Sequence, residues 1–555
     1  MLARDILSML VQNNIQTITG AKAVINTLKD LGIDTIFGYP GGIVLDLYDE
    51  LYKQTCINHI LVRHEQSAVH AAEGYSRASG KCGTVLVTSG PGATNTVTGI
   101  VNAYLDGYPL LVFTGQVDKN LIGKNAFQEA NICDITKSCT KAVFQITDAK
   151  DIQNTIIEAY KIATSGKQGP VVIDMAKNIF TQSIEYKNQY PNISELAELT
   201  IDISAIQRIY ETIKDSTKPA LIIGGGANHS NCQKELNQFI KNFNIPVVST
   251  MMGLGTIDQN NSNYMGMIGI FGDNSANEIL KQSDLIISLG ARFNDRITCM
   301  FKNNELSNKI IQIDINADEI SKNIIAKDFI VADIKEFLSK INNIKNEFQN
   351  DKYNKWNLEA KKLKVLNKSN EKHSNMMHSF EIIQSLENYT KNTDVIFTSE
   401  VGQHQLWAVQ NLNFNPSRKI FVSGGSGTMG FGLPAAIGAA IAKPDKTVIC
   451  ITGDGSLQMS LGELAVCKEY GLNIKIIILN NGYLGMVRQL QEKNFGQRYS
   501  QTKISNPDFV ELSHSFKIDA LRVNKLEDVN NAFDKAFSTN QTYVIDFVTE
   551  PIETL

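Results

Sequence analysis

Residues 447–481 read TVICITGDGSLQMSLGELAVCKEYGLNIKIIILNN, and they carry the clearest fold pattern in the chain. Two apolar runs, Thr447–Ile451 and Ile474–Leu479, flank a segment with helical periodicity from about residue 457 to 470. The pattern predicts a strand, a helix and a second strand, which together form one parallel crossover unit. The turns Gly453-Asp454-Gly455 and Asn480-Asn481 then meet at the carboxyl edge of the sheet, where open α/β sheets bind ligands.

These two turns carry the chemistry of a metal site. The Asp454 carboxylate, the Asn481 amide oxygen and nearby backbone carbonyls are hard-oxygen ligands suited to Mg²⁺, which keeps positions for phosphate and water. Gly453 and Gly455 allow the backbone to approach a diphosphate closely. Asp-Gly and Asn-Asn are also ordinary turn residues. Two simple turns are therefore the alternative to a magnesium–diphosphate anchor, and the upstream residues favour the anchor.

Length, charge and cysteine usage narrow the class of protein. A chain of 555 residues suggests three or four domains, and its 43% hydrophobic residues can bury large cores. A net charge of −4 gives no electrostatic basis for binding nucleic acid or an anionic membrane surface. The eight cysteines form no CxxC pair, which indicates reduced thiols and no zinc site. We expect neither a secretory signal nor a membrane-spanning helix.

Three blocks of alternating strands and helices follow one another along the chain. The first, which we place at 19–185, predicts strands at Thr35–Phe37, Ile60–Val62, Thr84–Thr88, Leu110–Thr114 and Val171–Asp174. Residues 1–18 are expected to add an N-terminal helix. The second block, at 199–340, predicts strands at Pro219–Ile223, Pro246–Ser249, Leu285–Leu289 and Ile310–Ile315.

A Lys- and Asn-rich segment, 341–377, is expected to be a connector with a solvated face. The third block, 378–555, contains the metal turns. The first and third blocks look like two versions of one architecture, which suggests duplication. The predicted fold class is α/β, with three doubly wound parallel-sheet domains.

Glu65 lies where the run Ile60–Val62 gives way to a helix, at the predicted ligand edge of the first block. An acidic residue at a helix start is commonly there because the helix dipole favours it. With the motifs that surround it, Glu65 is instead a candidate catalytic carboxylate. Those motifs are FGYPGG (37–42), HEQ (64–66), AEGY (72–75), TSGPGATN (88–95), AFQE (126–129), GARFNDR (290–296), VGQHQ (401–405), GTMGFGLP (427–434) and NNGYLGMV (480–487).

On these motifs the chain resembles the acetolactate synthase (acetohydroxyacid synthase) family of thiamine-diphosphate enzymes. The resemblance implies that Glu65 hydrogen-bonds the cofactor pyrimidine and stabilises its imino tautomer. Met429 would hold the cofactor in a bent shape, Gln128 would act at the catalytic centre, and Tyr483 would add a backbone carbonyl to the Mg²⁺ ligands Asp454 and Asn481. The implied thiamine-diphosphate contacts are Tyr39, Pro40, Gly41, Gly42, Glu65, Pro91, Asn95, Gly402, Gln403, His404, Gly427, Met429, Gly453, Asp454, Gly455, Ser456, Asn481, Gly485 and Met486.

The middle block has glycine turns but no GxGxxG after its first strand, so a dinucleotide site is weakly indicated by pattern. These turns could be simple strand ends, but they resemble the FAD-contacting segments of biosynthetic acetolactate synthases. The flavin would then be structural. The implied FAD contacts are Gly224, Gly225, Gly226, Gly266, Met267, Gly290, Arg292, Asp295, Arg296, Asp314 and Asp333.

Arg296 is the candidate for binding the carboxylate of the second 2-oxo acid by a bidentate contact, although a plain surface arginine is the alternative. Phe127, Gln128, Met267 and Leu490 would line the same substrate site. Leu490 stands where the family usually has tryptophan, and Asp118 and Ile43 stand where it commonly has proline and alanine. We therefore expect weaker preference for 2-oxobutanoate over pyruvate, and insensitivity to sulfonylurea-type herbicides.

The resemblance implies an enzyme that decarboxylates pyruvate and joins the remaining two-carbon unit to a second pyruvate or to 2-oxobutanoate. This would be the first common step of valine, leucine and isoleucine synthesis. A homodimer with its active site at the subunit interface, a small regulatory subunit, and a bacterial cytoplasm or plastid stroma are also implied. The chain stops at Glu553-Thr554-Leu555, so closure of the site by a C-terminal tail is in doubt. The alternatives are an FAD-dependent pyruvate oxidase and a catalytically silent scaffold.

Overall fold

The computed structural model describes residues 15–188, 201–301, 305–344, 351–365 and 376–555. Strands Ile15–Thr19 (β1) and Ser183–Lys187 (β8) pair antiparallel, apart from the three main sheets. Residues 15–18 are therefore strand and not the helix predicted from the sequence, in keeping with the β-branched residues of IQTIT. The rest of that predicted helix, residues 1–14, lies outside the described residues.

The first domain contains a six-stranded parallel sheet. Its strands are Thr35–Tyr39 (β2), Asn58–Leu61 (β3), Gly83–Val87 (β4), Leu110–Gln116 (β5), Ala142–Ile146 (β6) and Pro170–Ala176 (β7). Its helices are Gly20–Asp30 (α1), Leu45–Tyr52 (α2), Glu65–Ser79 (α3), Pro91–Thr94 (α4), Val97–Asp106 (α5), Ile132–Thr136 (α6) and Ile152–Thr164 (α7).

The middle domain has its own six-stranded parallel sheet. Its strands are Pro219–Ile223 (β9), Val247–Ser249 (β10), Tyr264–Met267 (β11), Leu285–Leu289 (β12), Ile310–Asp314 (β13) and Asp328–Val331 (β14). Its helices are Ile203–Asp215 (α8), Gly225–His229 (α9), Gln233–Phe243 (α10), Asn274–Gln282 (α11), Asp295–Thr298 (α12) and Ile334–Asn342 (α13), followed by Asn354–Val365 (α14).

The third domain contains the last six-stranded parallel sheet. Its strands are Val395–Ser399 (β15), Lys419–Phe421 (β16), Thr447–Gly453 (β17), Ile474–Asn480 (β18), Asp519–Val523 (β19) and Tyr543–Val548 (β20). Its helices are Ser379–Thr390 (α15), Gln403–Asn411 (α16), Gly432–Ala442 (α17), Asp454–Leu457 (α18), Leu464–Glu469 (α19), Gly485–Phe495 (α20), Phe509–Ser515 (α21) and Val529–Phe537 (α22).

The first and third sheets share one strand order. The first runs β3-β2-β4-β5-β7-β6 and the third runs β16-β15-β17-β18-β20-β19, so each reads 2-1-3-4-6-5 in its own chain order. This is the likeness that the sequence suggested between the two blocks. The middle sheet runs β11-β10-β9-β12-β13-β14, or 3-2-1-4-5-6, which is the order of dinucleotide-binding folds. Two of the three α/β domains, the first and the third, therefore share one topology, and the middle domain has another.

The helix expected from about residue 457 to 470 is interrupted. The chain forms α18, then a 3₁₀ segment Gln458–Glu463 with non-helical dihedrals at Ser460, and then α19. The carboxylate of Glu463 accepts a hydrogen bond from the Arg63 backbone N–H (3.0 Å), so this segment is anchored to the first domain. A tertiary contact therefore overrides the helical periodicity of the sequence.

The segment expected to be a solvated connector packs in part against the middle domain. Trp356, in helix α14, is buried and donates a hydrogen bond from Nε1 to the Pro219 carbonyl oxygen at the start of β9 (2.9 Å). Tyr353 and Ala360 are buried in the same domain. The described part of the connector thus adds apolar side chains to the clusters on both faces of the middle sheet.

Helices α3 and α17 join the first domain to the third through small residues. A Cβ added to Gly74 would lie 2.2 Å from the Ala435 carbonyl oxygen, and one added to Gly438 would lie 1.8 Å from that of Ala71. The two helix backbones therefore approach each other too closely for larger side chains. No helix in the described part of the chain combines the length and apolar character needed to cross a membrane.

Candidate functional site

Asp454 begins helix α18 at the end of strand β17, and its carboxylate joins the two turns predicted to bind metal. Oδ2 accepts hydrogen bonds from the Gly482 backbone N–H (2.8 Å) and from Asn506 Nδ2 (2.7 Å), while Oδ1 accepts one from the Gly455 N–H (3.0 Å). Burial raises the pKa of the Asp454 carboxyl. No Lys or Arg in the described residues forms an ion pair with it. A buried carboxylate that lacks a counter-charge is suited to a cation.

The neighbouring turn brings two side-chain amides together. A Cβ on Gly485 would lie 2.0 Å from Gln403 Oε1 and 2.8 Å from Asn481 Nδ2. Gln403 Oε1 is buried and has no hydrogen-bond partner in the described part of the chain. Asn481 Oδ1 accepts a hydrogen bond from the Tyr483 backbone N–H (2.9 Å). Only a glycine at 485 leaves room for this pair of amides beside the turn.

This donor set fits a cation held partly by its ligand. The described residues contain no group of three or more His, Cys, Asp or Glu that could hold a metal by themselves. One carboxylate, one amide oxygen and a main-chain carbonyl leave coordination positions open, as Mg²⁺ requires when it also binds phosphate oxygens. The hard-oxygen chemistry therefore fits Mg²⁺ that also binds a diphosphate. The unpaired Gln403 oxygen is an acceptor, so it suits the cation or a donor group of a ligand and not a phosphate oxygen.

His404 and Glu400 add a second polar pair at the start of helix α16. His404 Nε2 lies 3.4 Å from Glu400 Oε1 without the alignment of a hydrogen bond, and it has no other partner among the described residues. The other oxygen of Glu400 accepts the Gly432 backbone N–H (2.7 Å). A Cβ on Gly453 would lie 2.9 Å from the His404 ring, so this histidine contacts the metal turn directly.

A glycine-rich loop, residues 423–431, connects strand β16 to helix α17. Gly427 has a positive φ of +63°, which favours glycine. The methyl carbon of Met429 would lie 3.9 Å from a Cβ on Gly455, so Met429 faces the metal turn. The loop thus brings Met429, one of the predicted cofactor contacts, to the Asp454 turn.

In the first domain, Glu65 is the first residue of helix α3 and is partly buried. Glu65 Oε2 accepts a hydrogen bond from Asn95 Nδ2 (3.0 Å), which joins two of the predicted cofactor contacts. A Cβ on Gly92 would lie 3.6 Å from Glu65 Oε1, and one on Gly41 would collide with the Thr88 side chain. The strand-end loops of this sheet therefore converge around Glu65, as the sequence predicted.

Phe127 and Gln128 lie on a tightly held loop near these residues. Glu129 Oε2 accepts a hydrogen bond from the Ala126 backbone N–H (3.0 Å), and its other oxygen accepts one from Gly123. These backbone hydrogen bonds lower the pKa of the Glu129 carboxyl. Gln128 has a positive φ of 60° and packs against Gly90, while Phe127 is 89% exposed. The loop presents an aromatic ring that no other part of the described chain covers.

A cavity of about 830 Å³ lies where the three domains meet. Its volume falls in the range typical of cofactor and small-molecule sites. The predicted FAD contacts that line it are Gly225, Gly226, Met267, Gly290, Arg292, Asp295, Arg296, Asp314 and Asp333. Residues 402, 427, 486 and 490 of the third domain also line it, so the cavity reaches the predicted cofactor loop. Its size and lining fit a dinucleotide such as FAD.

Several of these predicted flavin contacts already have protein partners. Both oxygens of Asp333 are engaged, because Oδ1 caps helix α13 and Oδ2 accepts the Ser230 hydroxyl (2.7 Å). Arg292 donates to the Leu105 carbonyl oxygen of the first domain (2.5 Å). Burial raises the pKa of the Asp314 carboxyl. Asp314 and the remaining donors of Arg292 are therefore the polar groups best placed for a ligand.

Gly224 and Gly266 do not line the cavity. A Cβ on Gly224 would lie 2.1 Å from the Gly290 carbonyl oxygen, and one on Gly266 would lie 2.3 Å from the Asp273 carboxylate. Asp273 accepts the Met267 backbone N–H (2.8 Å) across this contact. Glycine at both positions thus permits close contacts within the middle domain.

Arg296 and Leu490 both lie at the solvent-exposed rim of the cavity. The Arg296 side chain is 69% exposed and only loosely paired, with Asp295 3.7 Å away. Leu490, on helix α20, is 47% exposed. Ile43 packs toward Gly115, and Asp118 caps the 3₁₀ turn Lys119–Leu121. Arg296 is therefore free to bind an anion, and Leu490 leaves the rim open where an aromatic ring would narrow it.

The last residues of the chain contact the predicted diphosphate site. The Glu553 carbonyl oxygen accepts hydrogen bonds from Gln403 Nε2 (2.9 Å) and from Arg488 Nη2 (2.6 Å). Leu555 exchanges two hydrogen bonds of 3.3 Å with the Gln489 side chain. Closure of the site by a C-terminal tail was in doubt from the sequence, and the structure shows that residues 553–555 hold Gln403 and helix α20 in place.

Within one chain, the predicted site residues form two groups. The first surrounds Glu65 and includes the loop with Phe127, and the second surrounds Asp454 and continues into the cavity. No hydrogen bond or ion pair among the described residues joins Glu65 or Asn95 to the Asp454 turns. Side chains at both edges are exposed, including Tyr39 in the first group and Met459 in the second.

Comparison with known families assigns a class to this arrangement. Residues 18–136 match the family described as thiamine pyrophosphate enzyme, N-terminal TPP binding domain; residues 206–341 match its central domain; and residues 400–547 match its C-terminal TPP binding domain. The three matches follow the order of the three domains: the central match spans the whole middle sheet, the N-terminal match covers strands β2 to β5 of the first sheet, and the C-terminal match covers β16 to β19 and nearly all of β20 of the third. The two domains that share a strand order are those whose families bind thiamine pyrophosphate.

Individual relatives narrow the class. The chain is 39% identical to the acetolactate synthase large subunit of Haemophilus influenzae over 95% of this chain and 93% of that protein. It is 40% identical to that of Cyanidium caldarium, over 96% and 93%, and 36% identical to acetolactate synthase isozyme 3 large subunit of Escherichia coli, over 96% and 94%. The chain belongs to the thiamine pyrophosphate enzymes and, among them, to the acetolactate synthase large-subunit family.

Sequence reasoning did not single out Asn506, Glu400 or Asp106 as parts of the site. Asn506 bridges Asp454 and Asn480, donating to Asn480 Oδ1 (2.9 Å) as well as to Asp454. Glu400 directly precedes the motif at 401–405, which was a usable signal. Asn506 and Asp106 lie in no motif and reach the site only through tertiary contacts.

Proposed function

We propose that this chain is the catalytic subunit of an acetolactate synthase, which forms 2-acetolactate and CO₂ from two molecules of pyruvate. The observation that carries the proposal is the Asp454–Gly482 hydrogen bond, which joins the two turns into one oxygen-rich site at the edge of the third sheet. Identity of 36–41% with acetolactate synthase large subunits over at least 90% of the chain supports the same activity.

The proposed cofactors are thiamine diphosphate, Mg²⁺ and FAD. Asp454, Asn481 and the Tyr483 carbonyl would hold Mg²⁺, and Gln403 and His404 would contact the diphosphate. Of these two residues, His404 has a buried ring nitrogen, Nε2, with no hydrogen-bond partner in the described chain, and this nitrogen can donate to a phosphate oxygen. When bound, thiamine diphosphate supplies the nucleophilic carbon that the chain's own side chains lack. The 830 Å³ cavity would hold FAD in a structural role.

Glu65 would hold or release a proton at the cofactor pyrimidine, in a loop environment fixed by its hydrogen bond from Asn95. Because Glu65 and Asp454 belong to separate groups in one chain, we propose a homodimer in which each site combines Glu65 of one subunit with Asp454 of the other. The 89% exposure of Phe127 supports a partner surface on this loop.

The second substrate would be bound at the cavity rim. Arg296 would bind the carboxylate of a second pyruvate or of 2-oxobutanoate, and Phe127, Gln128, Met267 and Leu490 would line its path. Formation of 2-aceto-2-hydroxybutanoate is the corresponding reaction with 2-oxobutanoate. The position of Leu490 at an open rim supports weaker discrimination between the two substrates.

The proposal extends to assembly and pathway. The large-subunit designation of the relatives supports a separate small regulatory subunit, and we propose that the reaction begins branched-chain amino acid synthesis. We further propose domain limits of 19–185, 199–340 and 378–555, and a bacterial cytoplasm or plastid stroma as the compartment.

Product analysis tests the activity directly. Purified protein is incubated with pyruvate, thiamine diphosphate, Mg²⁺ and FAD, with and without a small subunit, while flavin absorbance is recorded. We expect acetolactate with the flavin remaining oxidised. Acetate or acetyl phosphate with flavin reduction would identify a pyruvate oxidase, and absence of any product under both conditions would contradict the proposal.

A further inference from the structure

A cluster of buried charged side chains of the first domain lies at its junction with the third domain. Arg77 Nη2 donates to Glu73 Oε1 (2.5 Å) and to Asp106 Oδ2 (2.7 Å), and the three side chains are at most 2% exposed. The Arg77 guanidinium also lies 4.2 Å from the ring centroid of Tyr108 and 5.3 Å from that of Phe431. Glu73 belongs to the AEGY motif, to which no part of the proposed reaction assigns a role.

Asp106 uses its carboxylate to hold the glycine-rich loop 423–431. Oδ1 accepts the Gly425 backbone N–H (2.7 Å), and Oδ2 accepts the Gly424 N–H (3.0 Å) in addition to Arg77. A Cβ on Gly425 would lie 2.6 Å from Leu105 Cβ, so the loop backbone lies directly on the end of helix α5. Only a residue without a side chain permits this approach.

Asn102, one turn earlier on helix α5, holds the same loop at a second point. Its Nδ2 donates to Glu73 Oε2 (2.8 Å), and its Oδ1 accepts hydrogen bonds from the hydroxyls of Ser423 and Thr428. Ser423 Oγ in turn accepts the Thr428 backbone N–H (2.8 Å). Asn102 therefore holds the loop at Ser423 and at Thr428.

Burying these charged groups costs free energy, so stabilisation of the fold alone does not explain the cluster. Burial raises the pKa of the Glu73 carboxyl, which shows that the site disfavours its charged form. Buried ion pairs commonly contribute no more stability than apolar side chains of the same size, and they provide fixed geometry instead. The geometry fixed here is that of the backbone immediately before Gly427 and Met429.

We infer that Asp106, oriented by Arg77 and Glu73, is a positioning residue for the thiamine-diphosphate site. Together with Asn102, it fixes residues 423–428, which directly precede Met429, the residue that faces the Asp454 turn. The proposed role of Met429 and Gly427 at the cofactor underlies this assignment. The first domain would thus serve the cofactor site of its own chain as well as supplying Glu65 to another.

Two variants test the assignment at the two contact points. Asp106→Asn removes the charge that accepts two backbone N–H groups, and Ser423→Ala removes the hydroxyl between Asn102 and Thr428. The matched controls are Asp284→Asn, which also accepts two backbone N–H groups (Thr217 and Lys218), and Ser513→Ala, which also loses a buried hydroxyl hydrogen bond. Neither control residue lines the cavity.

The measurements are the dissociation constant of thiamine diphosphate with Mg²⁺, the bound FAD content and the melting temperature. We expect each test variant to raise the dissociation constant of thiamine diphosphate about tenfold or more, as for groups that orient a ligand-binding residue. Asp106 and Ser423 also line the proposed FAD cavity, so the FAD content shows how far each variant disturbs that site too. The near-ultraviolet circular dichroism of the bound cofactor should change as well. The controls should bind thiamine diphosphate like the wild type.

Wild-type affinity in Ser423→Ala, whether or not Asp106→Asn folds, would overturn the assignment. An equal loss of affinity in the test variants and their controls would also overturn it. Because these measurements follow cofactor binding, they remain decisive even if the wild type forms a product other than acetolactate. That outcome would contradict the proposed function and leave the positioning role standing.

Discussion

Several buried side chains of the candidate site carry polar atoms that lack a charged or hydrogen-bonding partner. Asp454 is 2% exposed and accepts three hydrogen bonds, but it has no positively charged partner within the described residues. Gln403 Oε1 and His404 Nε2 are buried without hydrogen bonds. Buried polar atoms of this kind ordinarily find partners, so their clustering indicates groups that a ligand would satisfy.

Asp454→Ala should weaken magnesium-dependent binding of thiamine diphosphate by about 100-fold or more, because loss of a residue that only orients a metal ligand already commonly costs about 10- to 100-fold in affinity. Asn506→Ala should cause a smaller loss, since Asn506 only orients Asp454. Isothermal titration with and without Mg²⁺ measures both. Asp148→Ala, which removes an exposed carboxylate of the first domain, is the control, and equal affinity in Asp454→Ala and this control would contradict the metal assignment.

Leu490→Trp should raise the preference for 2-oxobutanoate over pyruvate by about tenfold, because an aromatic ring would cover apolar surface beside the extra methylene. A competition assay with both 2-oxo acids measures the product ratio. Val487→Trp is the matched control, because Val487 is exposed on the same helix but does not line the cavity. A strong 2-oxobutanoate preference in the wild type would argue against this role of Leu490.

At the scale of helices and strands, tertiary contacts modify what the local pattern predicts. Glu463 illustrates this, since its carboxylate reaches the Arg63 backbone N–H and the helix around it breaks into three pieces. Edge strands such as Ala142–Ile146 and Lys419–Phe421 were not predicted, because they are short or only partly buried and show weak apolar patterns. The inner strands of the first two sheets were predicted to within about two residues, as were Thr447–Gly453 and Ile474–Asn480 of the third sheet, whereas its inner strands Val395–Ser399 and Tyr543–Val548 were not predicted.

Glu463→Gln should change how stability depends on pH. Burial raises the pKa of Glu463 to about 7, above its ordinary value of 4.5. The folded chain therefore keeps a proton that the unfolded chain releases, and the free energy of unfolding falls by about 3 kcal/mol as pH rises from about 4.5 to 7. The neutral glutamine removes this contribution to the slope.

Urea unfolding midpoints across pH 4.5 to 7.5 measure the effect. Glu469→Gln is the control, because Glu469 also pairs with Arg63 but is 45% exposed. Parallel pH profiles for Glu463→Gln and the wild type would show that burial does not perturb this carboxyl as the structure indicates.

In the whole molecule, the first and third domains share one topology and the middle domain has a different one. The cavity lies at their common junction, with lining residues from all three. The first and third domains are also continuous through the small-residue contact of α3 with α17. Yet the Glu65 group and the Asp454 group remain unconnected by hydrogen bonds within the described chain. The arrangement favours completion of the site by a second copy.

Mixing two inactive variants tests this shared site. Glu65→Gln and Asp454→Ala are each expected to be inactive alone. If each site takes Glu65 and Asp454 from different subunits, random pairing gives half mixed dimers, each with one intact site, and restores about a quarter of wild-type activity. The variants are unfolded and refolded together, and acetolactate is then measured. Recovery no greater than the sum of the separate variants would contradict the shared site.

The sequence by itself determined the features that depend on near neighbours. The GDG and NN turns follow buried strands of one crossover unit, so their meeting at one sheet edge follows from parallel pairing alone. The tertiary structure was needed to show which side chains more than 300 residues away hold the glycine-rich loop 423–431, as Asp106 does at Gly424 and Gly425. It alone also showed the 3-2-1-4-5-6 order of the middle sheet and the cavity among the three domains. Such contacts depend on how whole domains pack, and the residues that make them show no periodic pattern in the sequence.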